Sequence, residues 1–258
     1  MNKLKSNHFF VFAIILTLTI TLFSSPCLLK PSSLYLKLRY DKSGIPVLMY
    51  HSIKTIKGNT LCVSEKQFDM EMHWLYSQGY HTLNIEEFSS ALYNTVTLPP
   101  KSILITFDDG YIDNYNIASS ILRRYGFKAT FFIITDFVKK PDRINWIQLK
   151  ELINLGNSIG SHSVRHLDLS TLSLKQQEYE LGISKQVLEK NLGINITAFC
   201  FPSGRYNETT LALLPKLGYK LGFTTQQGFV HPHDNKFMLK RVRIYGGMPY
   251  TVFQKLFT

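Results

Sequence analysis

The sequence predicts an α/β domain whose strands form one parallel sheet closed into a barrel, with its functional residues along the carboxyl ends of the strands. Short strand-like runs alternate with segments at helical spacing, roughly eight times between Ile45 and Phe257, and such alternation builds parallel sheets. Several of the runs are apolar along their length, as strands covered on both faces are. Two of them also end abruptly in ionisable residues: Pro46-Val47-Leu48-Met49-Tyr50-His51 and Ile103-Leu104-Ile105-Thr106-Phe107-Asp108-Asp109-Gly110. A barrel rim has that layout.

An amino-terminal segment precedes the domain. Lys3 and Lys5 lead into an uncharged run from Phe9 to Phe23, followed by Ser24-Ser25-Pro26-Cys27, the layout of an export signal or a retained anchor. The run is short for a spanning helix, which needs roughly 20 residues, so both fates stay open. Pro26 before Cys27 is a poor match to a lipid-attachment site. Residues 1–30 are read as signal peptide or membrane anchor, residues 31–44 as a polar and basic connector, and residues 45–258 as a single domain.

Within the domain, Ser64 and Gln67 have capping-box spacing, and Phe68, Met72, Trp74 and Leu75 follow before Gly79 stops the helix. A strand over 80–83 and a helix over 85–92 come next, closed by Pro99-Pro100. After the Asp-Asp strand, Tyr115, Ile117, Ile121 and Leu122 predict a helix ending at Gly126, and residues 129–134 a strand. Trp146, Leu149, Leu152 and Ile153 mark a helix stopped by Gly156, and Ser158 to Ser161 a short strand that delivers His162. Ser173 with Gln176 opens a helix running toward Gly193. Strand over 197–201, helix over 208–217, strand over 219–224, strand over 239–244 and helix over 251–257 complete the order.

Composition narrows the partners. With 258 residues and 45% apolar content the chain has enough material for a sizeable core. Of its formal charge of +11, three lysines lie in the first thirty residues and +8 belongs to the rest, a balance suited to anionic surroundings such as phospholipid or acidic wall polymers. No compact Lys/Arg block with interleaved aromatics is present, which speaks against nucleic acid. Cys27, Cys62 and Cys200 are too few and scattered for a disulfide framework, and Cys200 is read as a small core residue.

Asp108-Asp109-Gly110 taken alone is an ordinary turn sequence. The second cluster, His162-Ser163-Val164-Arg165-His166, changes its weight. One carboxylate and two imidazoles form a facial set for a divalent metal, with positions left open for water and substrate as a catalytic site requires.

Thr106-Phe107-Asp108-Asp109-Gly110 together with His162-Ser163-Val164-Arg165-His166 resembles the polysaccharide deacetylase family, the chitooligosaccharide-deacetylase homology domain. Val47-Leu48-Met49-Tyr50-His51-Ser52, Lys128-Ala129-Thr130-Phe131-Phe132, Ile159-Gly160-Ser161 and Phe201-Pro202-Ser203-Gly204 all sit in the order that family shows. The Met-Tyr-His strand is most similar to the branch acting on poly-N-acetylglucosamine. The resemblance implies a distorted (β/α) barrel of about seven to eight strands. It also implies zinc, or another divalent metal such as cobalt, on Asp109, His162 and His166. Asp108 would be the general base and His51 the general acid, with the Ser203 amide donating to the oxyanion.

This sequence has Cys200 where many members place an arginine and lacks a clear Leu-x-His near its end; Arg241 is a candidate to replace that arginine by pairing with Asp108, against a plain surface cation. Asp168 is expected to cap the turn after His166, and Trp146 and Tyr206 to line a sugar groove or pack the core. The expected activity is hydrolysis of N-acetyl groups on a polysaccharide, peptidoglycan or poly-N-acetylglucosamine ahead of chitin or xylan, by an exported monomer of the cell envelope. The alternative is an envelope glycan-binding domain without turnover.

Overall fold

The computed structural model describes residues 44–93 and 96–257; the amino-terminal leader and residues 31–43 of the connector lie outside the described residues. In chain order the strands are β1 (Val47–Tyr50), β2 (Ser52–Ile53), β3 (Cys62–Val63), β4 (His81–Thr82), β5 (Ser102–Phe107), β6 (Thr130–Ile133), β7 (Ser158–Ser161), β8 (Ala198–Cys200), β9 (Leu221–Gln227) and β10 (Leu239–Arg243). The helices are α1 (Glu65–Ser77), α2 (Ile85–Leu92), α3 (Ser119–Arg124), α4 (Trp146–Asn154), α5 (Leu174–Glu178), α6 (Ser184–Leu192), α7 (Glu208–Lys216) and α8 (Tyr250–Lys255). A π-helical turn, Asn114–Ala118, leads into α3, and another, Tyr179–Ile183, joins α5 to α6.

Seven strands close the ring. β5 to β10 pair in parallel in sequence order, and β1 bonds to β10 on one side and β5 on the other, in register from Val47↔Leu104 to Tyr50↔Phe107. β4 adds to β5 outside the ring, so the expected distorted barrel is the observed one. The dipeptide strands β2 and β3 pair beside the rim; two residues are too few to carry a periodic signal.

Strand alternation decides which side chains face inward. Along β5, Ile103, Ile105 and Phe107 pack outward under the helices, whereas Leu104 belongs to the inner cluster with Phe132, Ala198, Cys200, Phe223 and Leu239. Asp108, four residues past Leu104, inherits its inward direction. Helix α2 supplies Ile85, Phe88 and Leu92 to the same cluster, with the Phe88 ring 5.9 Å from Phe223. Gly160 on β7 has a steric reason: a Cβ there would sit 2.4 Å from the Phe132 ring.

The capping box expected at α1 is half made. Ser64 accepts from the Gln67 amide, but the Gln67 side chain turns away to donate to Glu71 and to the Tyr245 carbonyl. Glu71 is buried between Gln67 and the Tyr50 hydroxyl, both at 2.8 Å. Burial outweighs these two hydrogen bonds and pushes its carboxyl up to about 7. A carboxyl raised in the folded state contributes stability below its ordinary value near 4.5, and that contribution is lost as pH climbs through about 7. Unfolding free energy is therefore expected to fall by roughly 3 kcal/mol across that window. Denaturant melts against pH should show the decline, and Glu71→Gln should flatten it; an unchanged slope refutes the assignment.

Candidate active site

Loops at the carboxyl ends of β1, β5, β7 and β8, with the inner face of β10, bring the sequence-selected residues together. Asp108 is 2% exposed and its carboxylate lies flat against the guanidinium of Arg241, with Nη1 to Oδ1 and Nη2 to Oδ2 both at 2.8 Å. Arg241 is fully buried; it also donates from Nε to the Thr224 carbonyl and from Nη1 to the Thr106 hydroxyl. Its position is inside the barrel, not on a surface strand. Burial alone would push the Asp108 carboxyl up, but Arg241 overrides it and holds the group well below the usual carboxylate range. Such a pair keeps Asp108 ionised and free of protons at any working pH, at some loss of basicity.

Cys200 is buried as expected but is more than core filler. Its Sγ lies 3.1 Å from Arg241 Nη2 and 3.6 Å from Asp108 Oδ2, and its carbonyl meets His162 Nδ1 at 2.8 Å. Burial raises the thiol above its ordinary value despite Arg241, so sulfur remains an uncharged neighbour of the ion pair.

Asp109 takes a left-handed backbone conformation, φ 72°, which turns its carboxylate away from Asp108 toward the β7 loop. Its Oδ1 is 3.4 Å from His162 Nε2 and 3.6 Å from His166 Nε2. The two imidazoles stand edge to face, 4.8 Å between centroids.

These separations test whether a metal fits. Bonds of about 2.0–2.1 Å at tetrahedral angles put ligand atoms roughly 3.3–3.5 Å apart, close to both observed spacings. The Cys200 carbonyl accepts from the Nδ1–H tautomer of His162 and thereby leaves the Nε2 lone pair facing Asp109. One donor atom from each of Asp109, His162 and His166 lies within 4.8 Å of the others. The set Asp108, His162 and Cys200 satisfies the same distance limit, but Asp108 is committed to Arg241, Cys200 is a thiol, and His162 Nδ1 is already bonded. The first set is the one that fits a cation.

His51 completes the rim. Its Nε2 is 4.0 Å from Asp108 Oδ2, and its carbonyl accepts from Asn114 Nδ2 at 2.7 Å. Burial lowers its imidazole against the opposing pull of Asp108 and Asp109, which makes the imidazolium, once formed, a ready proton donor. The Asp113 carboxylate receives the Ser52 hydroxyl and the Ile53 amide and fastens the next two residues. Ser203 follows Pro202 in a tight exposed turn with φ 51° directly after Cys200 and Phe201. Tyr206 packs on Phe201 at 4.5 Å, and Trp146 is partly buried against the outer core. Asp168 caps the turn after His166 through the Ser170 amide. His231 sits apart in its loop, facing Asp234.

A parallel barrel with carboxylates and imidazoles gathered on its carboxyl rim has the layout of a metal-assisted enzyme site. The polysaccharide deacetylase family model matches residues 95–222. Over 209 residues the chain is 40% identical to YxkH of Bacillus subtilis, named for the same family, covering 81% of this chain and 74% of that one. It is 29% identical over 240 residues, 81% of each chain, to a poly-beta-1,6-N-acetyl-D-glucosamine N-deacetylase of Staphylococcus aureus. Among solved structures it is similar to the Streptococcus pyogenes deacetylase PplD in complex with acetate, with TM-score 0.79, 35% identity, and coverage of 83% of this chain and 98% of that one. The chain belongs to the polysaccharide deacetylase family.

Proposed function

We propose that the protein removes N-acetyl groups from an N-acetylglucosamine-containing envelope polysaccharide, poly-N-acetylglucosamine or peptidoglycan, and releases acetate. The observation that carries this reading is the convergence of Asp109, His162 and His166 on one point beside Asp108 and His51. A divalent cation held by those three, zinc or cobalt, supplies Lewis acidity toward the acetamide carbonyl and acidifies water.

The chain's own groups do the rest. Asp108, kept ionised by Arg241, takes a proton from the attacking water. His51, on the neighbouring strand end, delivers a proton to the nitrogen as the C–N bond breaks, so the products are acetate and a free amine. The Ser203 amide is assigned to the oxyanion. The Met-Tyr-His strand and the relative named for poly-beta-1,6-N-acetyl-D-glucosamine support the substrate class. The basic then apolar amino-terminal segment supports work outside the membrane, as a secreted or anchored protein.

Acetate release from poly-N-acetylglucosamine, peptidoglycan and chitin oligomers tests the proposal. Release from at least one of the first two is expected, abolished by chelation and restored by zinc or cobalt. Binding to a glycan without acetate from any of them would make the domain a glycan receptor instead.

A further inference from the structure

We infer that Glu180 is a positioning residue for the metal-holding loop: its carboxylate fixes the backbone between His162 and His166 and so aims both imidazoles. The inference rests on the reading of that loop proposed above. Glu180 is fully buried, and all three of its hydrogen bonds go to the loop. Oε2 accepts from the consecutive amides of Val164, at 3.0 Å, and Arg165, at 2.9 Å, while Oε1 accepts from Arg165 Nε at 2.7 Å.

The loop needs such an anchor. Ser163 and His166 both hold left-handed backbone angles, φ 66° and 62°, conformations that persist in non-glycine residues only where the surroundings over-determine them. Part of the restraint is internal: the Ser163 hydroxyl accepts from the His166 amide at 2.9 Å. The turn after β6 adds two backbone bonds, from the Thr135 amide to the Ser163 carbonyl at 3.2 Å and from the Asp136 amide to the Val164 carbonyl at 3.0 Å, and one helical stretch supplies the side-chain bonds. Ser184, four residues beyond Glu180, meets Ser161 Oγ at 2.7 Å, and that hydroxyl accepts from the Ser163 amide. Between Glu180 and Ser184 the helix widens into the π turn Tyr179–Ile183, where Glu180, Leu181 and Gly182 are all buried in succession. A π turn re-aims side chains without breaking a helix and recurs at functional sites. Here it directs a carboxylate at two amides that lie between the two imidazole donors.

Cobalt(II) binding to the full chain tests this, measured by competition with a chromophoric chelator and by the visible d–d absorption of the bound ion. Glu180→Gln keeps the shape but removes the charge that both backbone amides bond to and puts an NH2 donor in place of one acceptor oxygen, and should lower cobalt affinity by at least ~10-fold with an altered spectrum. Arg165→Met leaves both amide bonds in place and should stay within about 2-fold of the parent. Parent-like affinity and spectrum in folded Glu180→Gln overturn the inference. Asp109→Ala separates the two levels: if it binds cobalt as the parent does, the metal site itself is wrong, whereas loss there with parent-like Glu180→Gln refutes only the anchor. Circular dichroism checks folding, and Glu180→Asp replaces the glutamine variant if the latter does not fold. If neither folds, Glu180 serves the whole barrel and the inference fails.

Discussion

Replacing Arg241 by methionine is expected to destabilise the folded protein by about 3–5 kcal/mol, because Asp108 would be left as an uncompensated charge inside the barrel. Arg241 is fully buried and makes its two shortest contacts to that carboxylate. The penalty belongs to the broken pair more than to either residue. In the Arg241→Met background, Asp108→Asn should therefore recover part of the loss, since it removes the orphaned charge. Denaturant melts of the parent, both single variants and the double variant form the cycle. Strictly additive effects would mean that the two groups do not depend on each other, and would remove Arg241 from the account of how Asp108 stays ionised.

The second large effect is on chemistry. Asp108→Asn is expected to lower kcat for acetate release by ~10²–10⁴-fold, the range for loss of a general base, with bound metal unchanged because Asp108 is outside the fitted donor set. His51→Ala should lower kcat and also leave metal content as it was, while its partner Asp108 keeps its pairing to Arg241. Equal acetate release from the parent and the asparagine variant would take Asp108 out of the reaction, and full activity in His51→Ala would make that histidine a structural group at a strand end.

Much of this site could be read in the sequence because strand ends are sharply marked there. β7 spans Ser158–Ser161, the residues its pattern predicts, and α2 spans Ile85–Leu92 likewise. Both carboxylates and His51 follow strands whose apolar runs end abruptly, whereas His162 and His166 follow the Ser-Ile-Gly-Ser strand β7 and stand out by their own spacing. What the sequence hides is whatever depends on pairing across the barrel. Cys200 reads as core because its neighbours Phe199 and Phe201 are apolar, and nothing local shows that alternation turns its sulfur toward Arg241. Arg241 itself could equally have been a surface cation until β10 was placed next to β1. Glu180 went unnoticed for a similar reason. A glutamate in a polar helix is unremarkable until a π turn, which leaves no periodic signature, swings it under the β7 loop. Gln67 shows the converse, since its spacing from Ser64 is right for a reciprocal cap, but Glu71 one turn along the same helix and the distant Tyr245 carbonyl together draw its side chain away.

The Asp108 and Arg241 pair spans 133 residues of chain, and the strand carrying the guanidinium is the last to enter the ring. During synthesis, the carboxylate emerges long before its counter-ion. Until β10 docks against β1 and β9 the barrel has an open seam and Asp108 is a solvated carboxylate, ionised without help; closing the seam buries it and brings Arg241 against it. The pair thus ties the burial of Asp108 to the closure of the ring at the seam formed by β1, β9 and β10.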